Sequence, residues 1–188
     1  NNEGVCLILG DNIFIGKNFE NLFSRAIQNN IPAIFSIHTP EPEKYGVVEF
    51  DHLKKIKSVI EKPKFFVSNF AVVGLYIFDG DVSLNAMDIK PSKRGEIEIT
   101  DLINHYIKIK RCKLWELDQS DYWFDAGSPA GLLEASSTVQ RIQSKHEMLL
   151  GSPEISAYSN NFISKNTLRV HYEKLKSSEY GKLIGNFL

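Results

Sequence analysis

The chain has 188 residues, of which 43% are hydrophobic and 24% are charged, an ordinary composition for a globular protein with a buried core. Its formal net charge of −1 creates no attractive field for nucleic acid or an anionic membrane, so we expect neither as a partner. No stretch approaches the roughly 18 apolar residues of a membrane-spanning helix, and the N-terminus lacks the basic region of a signal peptide. We therefore expect a cytoplasmic protein.

The first half of the chain alternates between strand and helix patterns. Apolar runs at 5–9 and 33–38 predict strands, and between them apolar residues recur at helical spacing. Strand, helix and strand in that order predict a parallel sheet with right-handed crossovers. Residues 47–50 and 56–60 predict a hairpin, and 70–78 predict a strand buried on both faces. Cys6 and Cys112 lie in apolar runs and are expected to be buried thiols.

The second half is mainly helical. A short helix is predicted after residue 81, and Thr100 is a plausible N-cap of the next helix. A strand is predicted at 114–117, and further along the chain Trp123 and Phe124 lead into Asp125. Ser128 as the N-cap, followed by Pro129, predicts the start of another helix. Ser164 is predicted to cap a later helix. We expect an α/β domain over residues 1–150 and a helical C-terminal extension over 151–188.

Two places share one design, in which an apolar strand ends in an acid followed by small or amide residues. They are Gly10-Asp11-Asn12 and Asp125-Ala126-Gly127. In open α/β sheets, ligands bind at the carboxyl ends of strands, where both acids would lie. Two carboxylates from distant parts of the chain suit Mg²⁺, which completes its octahedron with phosphate and water. The alternative is that both segments are Asx-turns that end strands.

Other kinds of site find little support in the sequence. The five histidines form no paired spacing and neither cysteine has a second cysteine nearby, which disfavours zinc. A Gly-x-Ser-x-Gly motif and a Cys/His signature are lacking, which disfavours covalent nucleophilic catalysis. A glycine-rich phosphate loop is not found either.

Glu61 and Lys62 end the second strand of the hairpin. Because adjacent strand residues point to opposite faces, the two would not normally pair with each other. One could reach sugar hydroxyls while the other meets a phosphate. The alternative is an ordinary charged strand end before Pro63.

Six segments occur in the order found in sugar-nucleotide pyrophosphorylases, namely LILGDN, PEKYGVVEFD, IEKP, NFAVVGLYIFD, KRGEIEITDLIN and WFDAGSP. The chain most resembles the glucose-1-phosphate thymidylyltransferase type of this family, over nearly its whole length. EKP alone is common among nucleotidyltransferases, whereas YGVVEFD combined with RGE-x-EITD and WFD is a specific set. The resemblance implies a Rossmann-like nucleotidyltransferase fold with a mostly parallel mixed sheet and flanking helices. It also implies Mg²⁺-dependent transfer from dTTP to glucose 1-phosphate, which gives dTDP-glucose and pyrophosphate.

The resemblance also implies roles for individual residues. By position in the motifs, Asp11 and Asp125 resemble the Mg²⁺ ligands and, with Lys62, the catalytic residues. Positions similar to substrate contacts of the family are Asn12, Tyr45, Gly46, Glu61, Lys62, Val72, Arg94, Glu96 and Trp123. Among these, Glu61 resembles the residue that reads sugar hydroxyls, and Lys62 the residue that holds the sugar phosphate. Relatives are homo-oligomers, so a homo-oligomer, a tetramer by resemblance, is expected here.

Two features depart from the family pattern. Ala126 stands where the family usually has a threonine, and nine residues precede Gly10, whereas in relatives the glycine-rich phosphate loop and the base-reading segment come before this point. We therefore expect an N-terminally incomplete domain that carries the metal acids and the sugar pocket and is inactive alone. The incomplete sheet is expected to expose strand edges and apolar faces.

Three alternatives remain open at this point. The chain could be a non-catalytic piece that binds sugar phosphate or assembles subunits. It could belong to a pyrophosphorylase of the same family that uses another nucleotide, such as UTP. A metal-dependent glycosyltransferase is a weaker alternative, since it requires an Asp-x-Asp motif that Gly-Asp-Asn does not supply.

Overall fold

The computed structural model describes residues 3–92, 95–146 and 149–188. The chain divides into two compact units, Asn1–Ser128 and Pro129–Leu188. The sequence placed the start of the helical extension at residue 151, whereas the second compact unit begins at Pro129.

The first unit contains eight strands and three helices among its described residues. The strands are β1 Val5–Ile8, β2 Asn12–Ile15, β3 Ala33–His38, β4 Gly46–Phe50, β5 Ile56–Glu61, β6 Phe70–Phe78, β7 Lys113–Glu116 and β8 Tyr122–Asp125. The helices are α1 Lys17–Gln28, α2 Val82–Met87 and α3 Ile99–Lys108, and a single 3-10 turn spans Pro42–Lys44. The predicted hairpin and the strand at 70–78 are confirmed as β4–β5 and β6.

The main sheet has the order β5-β4-β6-β3-β7. It is mixed, as expected, but its described strand pairs are mostly antiparallel, where a mostly parallel sheet was expected. β1 also pairs with β6, and Tyr76 of β6 lies between Leu7 of β1 and Ile34 of β3. Because β6 runs antiparallel to β1, β3 and β4, those three strands and β7 all point in one direction. The reversed β6 separates them, so β3–β7 is the one parallel pair of neighbours among the described strands.

β6 forms the centre of the first unit because both of its faces are buried. Alternate side chains, such as Val72 and Tyr76, belong to the core cluster on one face, which includes residues of α3. The intervening residues, such as Val73 and Leu75, belong to the cluster on the other face, where residues of α1 pack. This arrangement explains the continuous apolar run of β6, since a strand that is covered on both sides has no polar face.

β1 differs from its prediction as a buried strand. Its side chains and the following leucine are exposed, with relative accessibilities of 42% for Val5, 38% for Leu7, 53% for Ile8 and 41% for Leu9. Cys6 is exposed as well, while Cys112 is half-buried. The exposed apolar strand agrees with the expectation that this sheet leaves apolar surface uncovered.

Two local predictions need correction. The chain after Asp11 forms the short strand β2 before α1 begins, where a direct entry into the helix was predicted. Helix α3 has Glu98 at its N-cap position, and Thr100 lies buried in its first turn instead of capping it. The Thr100 methyl carbon lies 3.0 Å from the point where a Cβ on Gly46 would be. Thr100 therefore packs against Gly46 and does not serve as the cap.

The second unit contains four helices among its described residues, which are α4 Pro129–His146, α5 Pro153–Ser159, α6 Lys165–Leu175 and α7 Glu179–Gly185. Ile155, Leu168 and Ile184 form its buried core. The predicted cap is confirmed, since the Ser164 hydroxyl accepts a hydrogen bond from the Thr167 N–H. Over the described part of the chain, every helix is too short or too polar to cross a membrane.

Candidate active site

Asp11 and Asp125 are brought together by the two-stranded β2–β8 ribbon. Asn12 lies opposite Asp125 in its antiparallel register, and the Ala126 N–H donates to the Asp11 carbonyl oxygen over 2.7 Å. The sequence predicted that the acids would meet at the ends of strands in a parallel sheet. Instead they meet because the distant segment that ends in Asp125 pairs antiparallel with the segment that follows Asp11.

The two carboxylates converge on one small space above Gly127. A Cβ built on Gly127 would lie 2.8 Å from Asp11 Oδ2 and 3.0 Å from Asp125 Oδ1. The Gly127 N–H donates to Asp125 Oδ1 over 3.0 Å, which is the Asx-turn pattern. The alternative of two turns thus holds for Asp125, whereas the carboxylate of Asp11 accepts from the side chain of Asn12.

This pair of acids fits Mg²⁺ better than zinc. Among the described residues, no group of three or more His, Cys, Asp or Glu side chains is placed to hold a metal ion. Zinc sites need three or four protein ligands, whereas Mg²⁺ commonly takes one or two carboxylates and completes its shell with water and phosphate. Because Gly127 has no side chain, the space beside the two carboxylate oxygens stays open.

A cleft of about 200 Å³ opens beside the acids. Nine of the predicted site residues line it, namely Asp11, Asn12, Tyr45, Gly46, Glu61, Lys62, Val72, Trp123 and Asp125. Five further residues complete its wall, namely Leu9, Lys44, Gly74, Tyr76 and Ile99. The structure therefore brings most of the predicted set into one place.

Glu61 and Lys62 both line this cleft, although adjacent strand residues normally face opposite ways. β5 ends at Glu61, and Lys62 has a φ of 40°, in the left-handed region that non-glycine residues seldom adopt. The Lys62 N–H donates to the Tyr45 carbonyl oxygen over 3.0 Å. This backbone reversal breaks the strand alternation, and such strained positions concentrate at functional sites.

Aromatic side chains form one wall of the cleft. The rings of Tyr45 and Trp123 meet edge to face, with centroids 5.0 Å apart. Burial, and then the negative charge of Asp125, raises the pKa of the Tyr45 phenol. Burial, with a contribution from the charge of Glu61, raises the pKa of Tyr76 far above its usual range. Both hydroxyls are therefore protonated at neutral pH and can act as hydrogen-bond donors.

The structure places one of the described predicted residues outside the cleft. Glu96 lies exposed in the loop before α3 and is not among the residues that line the cleft. Arg94 lies outside the described residues. The roles predicted for both stay predictions.

Sequence reasoning missed Gly74 and Tyr76, although a signal for them existed. Val72, Gly74 and Tyr76 are alternate residues of β6, so they share one face of the sheet. A glycine inside an apolar strand often marks a close approach by another group. Placing Val72 in the site therefore implied that Gly74 and Tyr76 border it as well.

A larger depression of about 520 Å³ lies near the start of α1 and the end of β7. Its lining includes Asn18, Arg25, Asp118 and Asp121 but none of the predicted site residues. We place the candidate active site in the smaller cleft, because two acids converge there beside Lys62, which has left-handed backbone geometry.

Comparison with known proteins identifies the family of the chain. Residues 1–142 match the family described as Nucleotidyl transferase. Glucose-1-phosphate thymidylyltransferase from Xanthomonas campestris pv. campestris is 37% identical over 180 residues, which cover 95% of this chain and 61% of the relative. The chain thus spans about three fifths of the length of this curated relative.

Solved structures similar to this chain are also of nucleotidyltransferases. A Bacillus anthracis protein described as a glucose-1-phosphate thymidylyltransferase, crystallised with sucrose, superimposes with a TM-score of 0.62 and 34% identity over 73% of this chain and 55% of that one. A UDP-glucose pyrophosphorylase complexed with UDP-glucose gives a TM-score of 0.65 and 29% identity, over 74% of this chain and 57% of that one. These likenesses confirm the Rossmann-like α/β fold implied by the motifs. Since the family match covers more than half of the sequence, the chain belongs to the nucleotidyl transferase family.

Proposed function

We propose that this chain carries the metal-binding and sugar-phosphate half of a glucose-1-phosphate thymidylyltransferase site. The reaction is transfer of the nucleotidyl group of dTTP to glucose 1-phosphate, which gives dTDP-glucose and pyrophosphate. The observation that carries the proposal is the convergence of Asp11 Oδ2 and Asp125 Oδ1 on one point, at a cleft that also contains Lys62 and Glu61.

Asp11 and Asp125 are the residues that would hold Mg²⁺. When bound there, the ion would supply positive charge beside phosphate oxygens that gain negative charge during transfer. Both substrates are polyanions, so the task of the protein is alignment and charge neutralisation rather than covalent chemistry.

The other residues of the cleft suit the sugar phosphate. Lys62 provides an ammonium group for the phosphate, and the Glu61 carboxylate can accept hydrogen bonds from sugar hydroxyls. Gly46 lies in the wall of the cleft, and the place of its missing side chain is filled by Thr100 and Val59, which pack behind that wall. A volume of about 200 Å³ lies below the roughly 300–1,000 Å³ of typical drug-sized pockets, which supports one sugar ring with its phosphate as the occupant.

With the sugar phosphate held in this way, one of its phosphate oxygens attacks the α-phosphorus of the nucleotide in line and pyrophosphate leaves. Lys62 keeps the attacking phosphate at a fixed position. Tyr45 and Trp123 exclude water from one side of the sugar. Arg94 and Glu96 are included in the proposal as a phosphate and a sugar contact.

Thymidine is proposed over other bases because the Xanthomonas relative carries that activity in its name. A pyrophosphorylase that uses UTP is the second candidate, favoured by the similarity to UDP-glucose pyrophosphorylase. A cytoplasmic location and a homo-oligomeric assembly are part of the proposal as well.

A substrate panel tests the proposed reaction. Pyrophosphate release by the protein that contains this chain is measured with glucose 1-phosphate and Mg²⁺, in the presence of dTTP, UTP or ATP in turn. We expect the highest kcat/KM with dTTP. A clear preference for UTP would transfer the assignment to the second candidate, and no pyrophosphate release with any nucleotide would favour a non-catalytic role.

A further inference from the structure

Asn12 lies between the metal acids and the aromatic wall of the cleft. We infer that Asn12 is a positioning residue, whose side-chain amide orients the carboxylate of Asp11 and the indole of Trp123 at the same time. This inference rests on the proposed function, since it concerns Asp11 as a ligand of a divalent cation.

The hydrogen bonds of the Asn12 amide join three strands. Its Oδ1 accepts from the Gly74 N–H over 2.9 Å and from Trp123 Nε1 over 2.6 Å. Its Nδ2 donates to Asp11 Oδ1 over 2.9 Å. The reverse orientation of the amide would point its NH₂ group at two donors and its oxygen at a carboxylate, so the network fixes one orientation.

The side-chain amide of Asn12 packs closely against the backbone of Gly74. A Cβ on Gly74 would lie 2.8 Å from each of Cγ, Nδ2 and Oδ1 of Asn12. Glycine weakens the interior of a strand, and here it occupies the middle of the buried β6. The position therefore sacrifices side-chain packing and gains close contact with the face of the Asn12 amide.

The consequence for Asp11 is that its two carboxylate oxygens have different roles. Oδ1 is held by Asn12, while Oδ2 is the oxygen that approaches the space above Gly127. A carboxylate fixed through one oxygen presents the other to the cation in a defined direction, which is how hydrogen-bonding partners of metal ligands act in general. Through Trp123 and its contact with Tyr45, the same amide also fixes the wall of the sugar pocket.

Binding of Mn²⁺, measured by the loss of the free-ion EPR signal, tests the inference without relying on turnover. The samples are the wild-type chain, Asn12→Ala, Asp11→Asn and, as a matched control, Asn18→Ala. The Asn18→Ala substitution likewise removes a side-chain amide, which donates a hydrogen bond to the Ser120 hydroxyl. Asn18 is not among the residues that line the cleft. Loss of a residue that orients a metal ligand typically weakens metal affinity about 10- to 100-fold, so we expect that loss in Asn12→Ala and none in Asn18→Ala.

The outcomes separate the inference from the proposed function. If the wild type binds no Mn²⁺, or Asp11→Asn binds it as well as the wild type, the metal site itself is refuted. If Asp11→Asn loses binding while a folded Asn12→Ala keeps wild-type affinity, the positioning role is overturned and the metal site stands.

A second measurement uses the wild-type chain and decides the case if Asn12→Ala fails to fold. The sequence has two tryptophans. The indole N–H of Trp123 donates to Asn12, whereas Trp115 Nε1 is buried without a partner in the described part of the chain. The measurement is the NMR signal of each indole N–H, and the Trp123 signal is assigned by its absence in Trp123→Phe. We expect saturating Mg²⁺ to shift the Trp123 signal and to leave the Trp115 signal in place. An unmoved Trp123 resonance at saturation would overturn the coupling through Asn12.

Discussion

A methyl group added at Gly127 tests whether the space between the two acids is functional. In Gly127→Ala, the new Cβ would lie 2.8 Å from Asp11 Oδ2 and 3.0 Å from Asp125 Oδ1, closer than ordinary carbon–oxygen contacts. Mg²⁺ binds oxygen ligands at roughly 2.0–2.1 Å, so an ion between these oxygens and the new methyl group would compete for the same volume.

The substitution should harm the site much more than the fold. Gly127 is exposed, its φ is not positive, and the nearest atoms that the methyl group meets are carboxylate ends of side chains rather than backbone. Exposed substitutions of this kind usually change stability by less than about 0.5 kcal/mol. We therefore expect the melting temperature to change by less than about 2 °C.

The expected functional loss is at least about 100-fold in kcat/KM at fixed Mg²⁺, equivalent to about 2.7 kcal/mol of transition-state stabilisation. The assay is pyrophosphate release as a function of Mg²⁺ concentration, and the half-saturating concentration should rise as well. Gly10→Ala is the matched control, because it changes the residue next to Asp11 but its Cβ would meet nothing within 4 Å. A Gly127→Ala variant with the Mg²⁺ dependence of the wild type would refute the reasoning.

Three further predictions concern a substrate contact, the thiols and the second unit. Lys62→Ala should raise the KM for glucose 1-phosphate more than the KM for dTTP in steady-state kinetics, and the reverse pattern would refute its role. Burial raises the pKa of Cys112 to about 12, so at pH 8 only about one molecule in 10⁴ is a thiolate; DTNB should label the exposed Cys6 quickly and Cys112 slowly, and equal rates would contradict this. The hydrogen bond from Tyr180 holds the pKa of Glu154 below its ordinary value of 4.5, so this stabilisation is complete above pH 4.5 and is lost as the pH falls through the lower folded-state pKa. The difference in melting temperature between the wild type and Tyr180→Phe should therefore shrink from pH 7 to pH 3, and a constant or growing difference would rule this out.

Prediction from the sequence succeeded where local patterns decide the structure. The apolar run of β6 identified a strand buried on both faces, and Ser164 was identified as a cap from its own residue type. Most of the residues chosen from the motifs line one cleft, and their roles stay predictions.

Prediction was weaker where distant contacts decide the structure. The apolar residues of β1 look like those of a buried strand, but burial depends on what packs against them, and that is not encoded in the strand itself. The meeting of Asp11 and Asp125 depends on the pairing of β2 with β8, which no local periodicity reveals. The reversal at Lys62 could not be predicted either, because left-handed backbone at a lysine has no sequence signature comparable to that of glycine.

The central claim is that Asp125, together with Asp11, forms the metal site at which nucleotidyl transfer occurs. The most direct test is pyrophosphate release from dTTP and glucose 1-phosphate with Mg²⁺, compared between the wild-type protein that contains this chain and Asp125→Asn. A bound cation is worth several kcal/mol to such a transition state, so we expect Asp125→Asn to lose about 1,000-fold or more in kcat with an unchanged circular dichroism spectrum. Near-normal turnover by a folded Asp125→Asn protein would contradict the assignment of the metal site and with it the proposed mechanism.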